Sequence, residues 1–330
     1  MRVFKAEPSY WQYNPDNQLG LIDRLFFNRI RQKADFHRRM FDEDFARLFR
    51  SKNRRGGNLF EIVTNDDRVV QKLLGNVKTR HAPRSVDETV RELVSEIAQT
   101  LIRLGKAYYF LHEDNDQEEI HIVPLSSVGI MRLFGRHFQC VPKRNERHWD
   151  RENEELPREL RILDETKVMR FDMPTSMKRV LAAQNRTLGV LDKFQFRAAD
   201  FHRQATYEDP NPTNHFDFRV WNDIQERALY RATRITGWSC RKFDSTKRSD
   251  FFDCHRMIRF RRNQILLRDD ILKQLGCEFS RIGKSYRADF SIEISGTNEL
   301  PSIAHLNKLA ARLIAENVGF NEVLNYYYER

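Results

Sequence analysis

The sequence predicts an α+β protein in which long helices pack with a small mixed β-sheet and a hairpin. Three observations carry that prediction. Residues 85–105 hold a helix start signal, an apolar stripe and a glycine stop in one run. Two segments rich in aromatic and β-branched residues follow at once, AYYFLH (Ala107–His112) and IHIVPL (Ile120–Leu125). From Ser176 onward apolar residues recur at helical rather than alternating spacing.

From the N-terminus, Leu21, Leu25, Phe36, Phe41, Phe45 and Leu48 fall at helical spacing between Leu19 and Phe49, predicting one or two amphipathic helices. SKNRRGGN, Ser51–Asn58, joins charges to paired glycines and reads as a flexible loop or boundary. Phe60–Val63 is a short strand, Asp66–Leu74 a short helix ended by Gly75, and Thr79–Pro83 an extended connection. Ser85 and Glu88 then form a capping box. Val90, Leu93, Val94, Ile97, Leu101 and Leu104 make the stripe, and Gly105 supplies a left-handed stop.

After the hairpin, whose turn is the acidic EDNDQEE, Arg136–Pro142 and Lys167–Pro174 fit further strands. The mostly charged stretch between them, Lys143–Leu160, reads as a solvated excursion outside the core. Ser176–Gln204 is a long helix broken or softened near Gly189 and ended by YEDPNPTN. Arg219–Thr233 is the next helix, Trp238–Phe243 a strand, Ser249–Leu275 a long arginine-bearing helix, and Ser302–Glu316 a final helix closed by Gly319. The domain reading is an N-terminal helical segment over 1–58, an α+β domain over 59–175 and a mainly helical domain over 176–330.

The 330 residues can bury a sizeable core, and 24 Phe against 13 Gly argue for packing over disorder. Lys and Arg number 57 against 47 Asp and Glu, a net charge of +10 that favours polyanions without naming one. Cys140, Cys240, Cys254 and Cys277 are scattered, with neither CxxC nor histidines at zinc-like spacing, so they read as reduced thiols. The N-terminus lacks a signal-peptide stretch and no window approaches a membrane span, which predicts a cytoplasmic protein.

The densest basic segment, Arg241–Leu272, sets Arg256, Arg259, Arg261, Arg262 and Arg268 among Phe251, Phe252 and Phe260. That mixture suits phosphates and stacked bases, and it equally suits arginines paired with Asp250, Asp253, Asp269 and Asp270. A metal-dependent nuclease would draw on Asp250, Asp253 and His255, or on Asp289 and Glu293, and neither set has a metal-specifying pattern. There is no GxxxxGK[ST], GxGxxG or GxSxG, and GKSY at Gly283–Tyr286 is too short to be a phosphate loop. His121, inside a strand, reads as structural. No catalytic, metal-binding or cofactor residue is assigned.

The order of these segments resembles the central region of the tailed-phage portal proteins. The resemblance lies in VRELVSEIAQTLIRLGKAYYFLHEDNDQEEIHIVPLSSVGI, where Gly105, Ala107 and Tyr108 match the family's Gly-Asn-Ala-Tyr and Lys106 replaces the Asn. RILDETKVMRFDMP is similar to the strand before the family's long helices. LNKLAARLIAENVGFNEVLNYY, Leu306–Tyr327, is similar to its closing helix and turn through Gly319, Asn321, Glu322 and Val323.

What this resemblance implies is a portal-like fold with the hairpin after Gly105 in an outer wing, and identical subunits closed into a ring. The implied role is a channel for double-stranded DNA into a capsid, with capsid and packaging-motor proteins as partners, in the virion or host cytoplasm. The resemblance also leaves room for a portal-like protein put to another use, in a prophage remnant or a bacterial defence system. Arg256–Arg268 would face the channel or an adjacent subunit. Two other readings stay open: a basic intracellular nucleic-acid-binding protein of bacterial defence or regulation, and the nuclease.

Overall fold

The computed structural model describes residues 2–10, 36–49, 58–75, 85–114, 119–148, 151–193, 218–240 and 249–329. In chain order the elements begin with β1 (Arg2–Lys5), α1 (Phe36–Ala46), β2 (Phe60–Thr64), α2 (Asp67–Val70), a π-helical turn at Gln71–Gly75, and α3 (Val86–Leu104). Strands follow: β3 (Lys106–Asp114), β4 (Glu119–Leu125), β5 (Ile130–Leu133), β6 (Arg136–Val141), β7 (Arg144–His148), β8 (Arg151–Leu156), β9 (Glu159–Ile162) and β10 (Val168–Asp172). Then come α4 (Thr175–Lys193), α5 (Phe218–Thr236), α6 (Asp250–Gly283), β11 (Ile292–Gly296), α7 (Ile303–Ile314) and α8 (Phe320–Glu329). The fold is mixed helix and sheet, as the sequence predicts.

The chain forms two compact units. One comprises Met1–Gln32, Asn53–Pro174 and Leu267–Leu300; the other comprises Lys33–Lys52, Thr175–Leu266 and Pro301–Arg330. The division falls inside α6.

In the first unit, α3 starts and stops as its sequence dictates. Ser85 Oγ accepts from the Glu88 N–H at 3.2 Å, and Gly105, at φ 74°, donates its N–H to the Leu101 carbonyl at 2.7 Å. Both ends therefore satisfy backbone groups that a helix otherwise leaves orphaned. The stripe of Val90, Leu93, Val94, Ile97 and Leu101 is buried, each residue contributing about 1.5–3 kcal/mol.

Because the helix stops at Gly105, the chain reverses directly into β3, the centre of a three-stranded sheet ordered β10-β3-β4. Both pairings are antiparallel, with Tyr109 opposite Met169 and Tyr108 opposite Leu125. Tyr108, Tyr109, Phe110 and Leu111 are all buried, so β3 is covered on both faces and reads as a continuous apolar run. Lys106 is half-buried; its Nζ donates to the Ile130 carbonyl at 2.9 Å, and burial, with Arg170 nearby, pushes its pKa down.

A second sheet runs β1-β9-β6-β5, with β1 parallel to β9, and β2 pairs antiparallel with β11. Here the sequence reading needs correction. Within Lys143–Leu160, β7 and β8 pair antiparallel, and Glu159 and Leu160 open β9, an inner strand of the four-stranded sheet. Backbone pairing does not require an apolar alternation. On β9, Arg161 meets its acid two residues back, Glu159, at 2.8 Å on one half-buried face.

The second unit is helical. Phe41 and Phe45 of α1 stack at 5.3 Å, and Trp238 and Phe260 close edge-on against them at 5.6 and 5.7 Å. Cys254, Met257, Ile258 and Ile265 of α6 pack with Leu306, Leu309 and Leu313 of α7 and Val323 of α8.

Four further expectations are revised. The helix through Gly189 is unbroken. Trp238–Cys240 is not a strand, and Cys240 adopts φ 59°. The arginine-bearing helix continues past Leu275 to Gly283, because Phe279 and Ile282 extend its apolar stripe beyond Gly276. The stop after α7 lies at Glu316, φ 57°, rather than at Gly319, and the segment after Gly319 forms α8. Leu21 and Leu25, residues 51–57, the connection 79–83 and residues 194–214 lie outside the described residues.

Candidate nucleic-acid interface

The arginines singled out in the sequence all lie on α6, where helical geometry sorts them. Arg261 and Arg268, seven residues apart, are buried, as is Arg256. Arg256 Nε donates to the Asp253 carboxylate. Arg261 donates to the Leu48 carbonyl at 3.0 Å and to Gln264 Oε1 at 3.1 Å, while Arg268 holds Asp269 with two bonds of 2.9 and 2.7 Å. Arg268 also belongs to the first unit and the other four to the second. Burying a guanidinium is costly unless it is paired, and each of these three donates to at least one acceptor within the protein.

Arg259 and Arg262, three residues apart, are exposed. Arg259 donates to the carbonyl of Arg234 near the end of α5, tying the two helices together. On α5 the residues Arg227, Tyr230, Arg231 and Arg234 recur at three- and four-residue intervals and all are exposed, forming one face. Tyr230 stacks on Phe252 at 5.8 Å, nearly parallel at 14°, and the Arg234 guanidinium lies 5.9 Å from the Tyr230 ring. Arg227 pairs with Asp223 one turn back at 2.6 Å, a solvent-exposed pair worth little to stability.

Between α4 and α5 lies a cavity of about 410 Å³ lined by Thr187, Val190, Ile224 and Ala228 and by the side chains of Arg186, Arg227 and Arg231. The combined surface offers guanidinium groups and a flat stacked aromatic, the two contacts that a nucleic-acid strand accepts without regard to sequence. The α5 arginines were not singled out in the sequence, although their i, i+4, i+7 spacing was legible there.

The acids weighed for a nuclease do not converge. Asp253 is engaged by Arg256, Asp289 by Arg287 at 2.7 Å, and among the described residues no group of three or more His, Cys, Asp or Glu is placed to hold a metal. Burial, then the Arg259 charge, push the His255 pKa down, so this imidazole is held toward its neutral form. His121 stands opposite His112 in the β3–β4 pair, their rings 6.5 Å apart. All four cysteines are free thiols, and among the described residues no helix is long and apolar enough to cross a membrane.

No protein-family model and no curated protein matches the chain. Among solved structures, it is similar to a chain of the virion of a native gene transfer agent particle, with 10% identity, a TM-score of 0.42 and 85% of each chain covered. It is also similar to a chain in the neck of an empty gene transfer agent particle, with 12% identity, a TM-score of 0.38, and 94% of this chain and 93% of that chain covered.

Proposed function

We propose that the protein is a phage-type structural subunit of the portal kind, which closes with copies of itself into a ring and passes double-stranded DNA through it. The observation that supports this reading is the order of elements. A capped helix ends at Gly105, reverses into the apolar strand β3, returns through β4, and is followed by β10 beside β3 and then by long helices. That is the order carried by the residues that resemble the portal family. Lys106, where the family pattern has Asn, donates to the Ile130 carbonyl 24 residues along the chain.

In this reading the function is mechanical. Heterologous contacts between identical subunits generate a closed ring when the rotation between neighbours closes. The exposed face of α5 and α6, with Arg234, Arg259 and Arg262, meets DNA phosphates or the acids of the next subunit. The direct test is the mass of the purified chain by light scattering after size exclusion at moderate salt. A discrete assembly of about ten or more subunits is expected. A monomer or dimer overturns the ring and leaves a basic nucleic-acid-binding protein that uses the same face.

A further inference from the structure

The hairpin of β5 and β6 ends in a feature that neither core packing nor the basic helices explain. Leu133 pairs with Arg136, so the loop is only Phe134 and Gly135. Both have positive φ, 50° and 79°, the signs of a type I′ turn, whose first position favours Asn, Asp or Gly. Here it carries phenylalanine, a bulky residue that pays a steric penalty in the left-handed region. Phe134 gains nothing back from packing, being 99% exposed, and Leu133 beside it is 46% exposed.

The tip is also cationic and rigidly rooted. Arg132 and Arg136 flank it, both exposed, and residues 130–137, IMRLFGRH, contain no acid. At its base Ile130, His137 and Gln139 are buried. The His137 N–H and ring Nδ1 both reach the Glu165 carboxylate, and the Leu163 N–H donates to the His137 carbonyl at 2.9 Å. A strained residue that buries nothing and is held on a stiff ribbon is a device for presenting a side chain outward.

From this geometry we propose that the β5–β6 tip is a nucleic-acid contact: Phe134 stacks on or wedges between bases while Arg132 and Arg136 neutralise the adjoining phosphates. An aromatic face between two guanidiniums, on a tip whose own residues include no acid and whose nearest acid named here, Glu165, is engaged by His137 at the base, fits a polyanion carrying stackable rings. A β-ribbon is narrow enough to enter a DNA groove. The proposal is independent of ring formation, which the solution mass tests separately.

The experiment is fluorescence anisotropy of a short labelled DNA duplex titrated with the full chain over a series of salt concentrations. Phe134→Asn is expected to weaken binding about tenfold or more and leave the salt slope unchanged, because it removes stacking and no charge. Arg132→Gln with Arg136→Gln is expected to reduce the slope of log K against log salt by roughly 2, about one per phosphate released. Phe134→Asn should at the same time raise the melting temperature by roughly 2 °C, since Asn tolerates this conformation.

Affinity within twofold of the parent for Phe134→Asn overturns the proposal, as does a fall in its melting temperature, which would make Phe134 a packing residue. A Phe134→Asn chain that binds DNA normally but loses solution mass makes the tip a contact between copies and equally overturns it.

Discussion

Trp238 donates its indole N–H to the Asp44 carboxylate at 3.0 Å, joining residues 194 positions apart within one unit. The bond sits at the centre of a second tie, in which Gln264 Nε2 donates to the carbonyls of Asp44, Phe45 and Arg47 at 3.0, 3.2 and 3.1 Å. Arg261 adds the Leu48 carbonyl. The carbonyls at the C-terminal end of α1, which a helix cannot satisfy internally, are thus taken up by side chains of α6. This arrangement ties a short, charged helix to side chains more than two hundred residues further along the chain.

Immediately before Trp238, Gly237 turns the chain at φ 87°. A Cβ at Gly237 would lie 2.1 Å from the Arg256 carbonyl and 2.7 Å from the Phe260 N, both backbone atoms that cannot swing aside. Gly237→Ala is therefore expected to cost more than about 3 kcal/mol. Gly105→Ala makes the comparison, because a Cβ there meets nothing within 4 Å, leaving only the left-handed strain of about 1–2 kcal/mol. Urea denaturation of both variants checks the ranking, and equal losses would refute the steric account.

Glu113 sets a pH dependence in the first unit. Its carboxylate accepts from the Tyr286 hydroxyl and from Lys167 Nζ at 3.0 Å, and these bonds, the Tyr286 bond foremost, hold its pKa below the ordinary 4.5. A depressed carboxylate contributes stability that is present above its unfolded pKa and lost as pH falls through the folded value. Parent and Glu113→Gln should therefore differ most above about pH 5 and converge below about pH 3. Chemical denaturation of the pair across that range measures it; a constant difference would mean the charge on Glu113 is immaterial. Asp66 and Asp289, held low mainly by hydrogen bonds from Arg287, remain in both proteins and cancel in the comparison.

What the sequence revealed follows from which signals are local. Ser85, the apolar stripe and Gly105 specify α3 through contacts within a few residues, and the structure has each of them in place. β3 and β4 announce themselves because both faces of β3 are buried. β1 and β9 do not, since a strand such as Glu159–Ile162 is half-buried throughout and its parallel partner lies at the far N-terminus. The arginines show the same limit. Composition marks α6 as basic, but whether Arg261 points at solvent or at the Leu48 carbonyl depends on a helix more than two hundred residues upstream. The left-handed Phe134 carries no sequence signal of its own, because a phenylalanine before a glycine reads as an ordinary strand end.

That division of the arginines is itself testable. Arg261 is 2% exposed and bonded to a carbonyl and to Gln264, so Arg261→Ala should unpair buried acceptors and cost about 2–4 kcal/mol. Arg259 and Arg262 are exposed, and reversing both to Glu should leave the melting temperature within a few degrees while weakening DNA binding or lowering the solution mass. Thermal melts, anisotropy and light scattering on the same three proteins separate the roles. Should the double reversal change neither DNA binding nor mass, the exposed face of α6 has no part in either. The interface would then have to be sought on the α5 stripe of Arg227, Arg231 and Arg234, whose guanidiniums the reversal leaves in place.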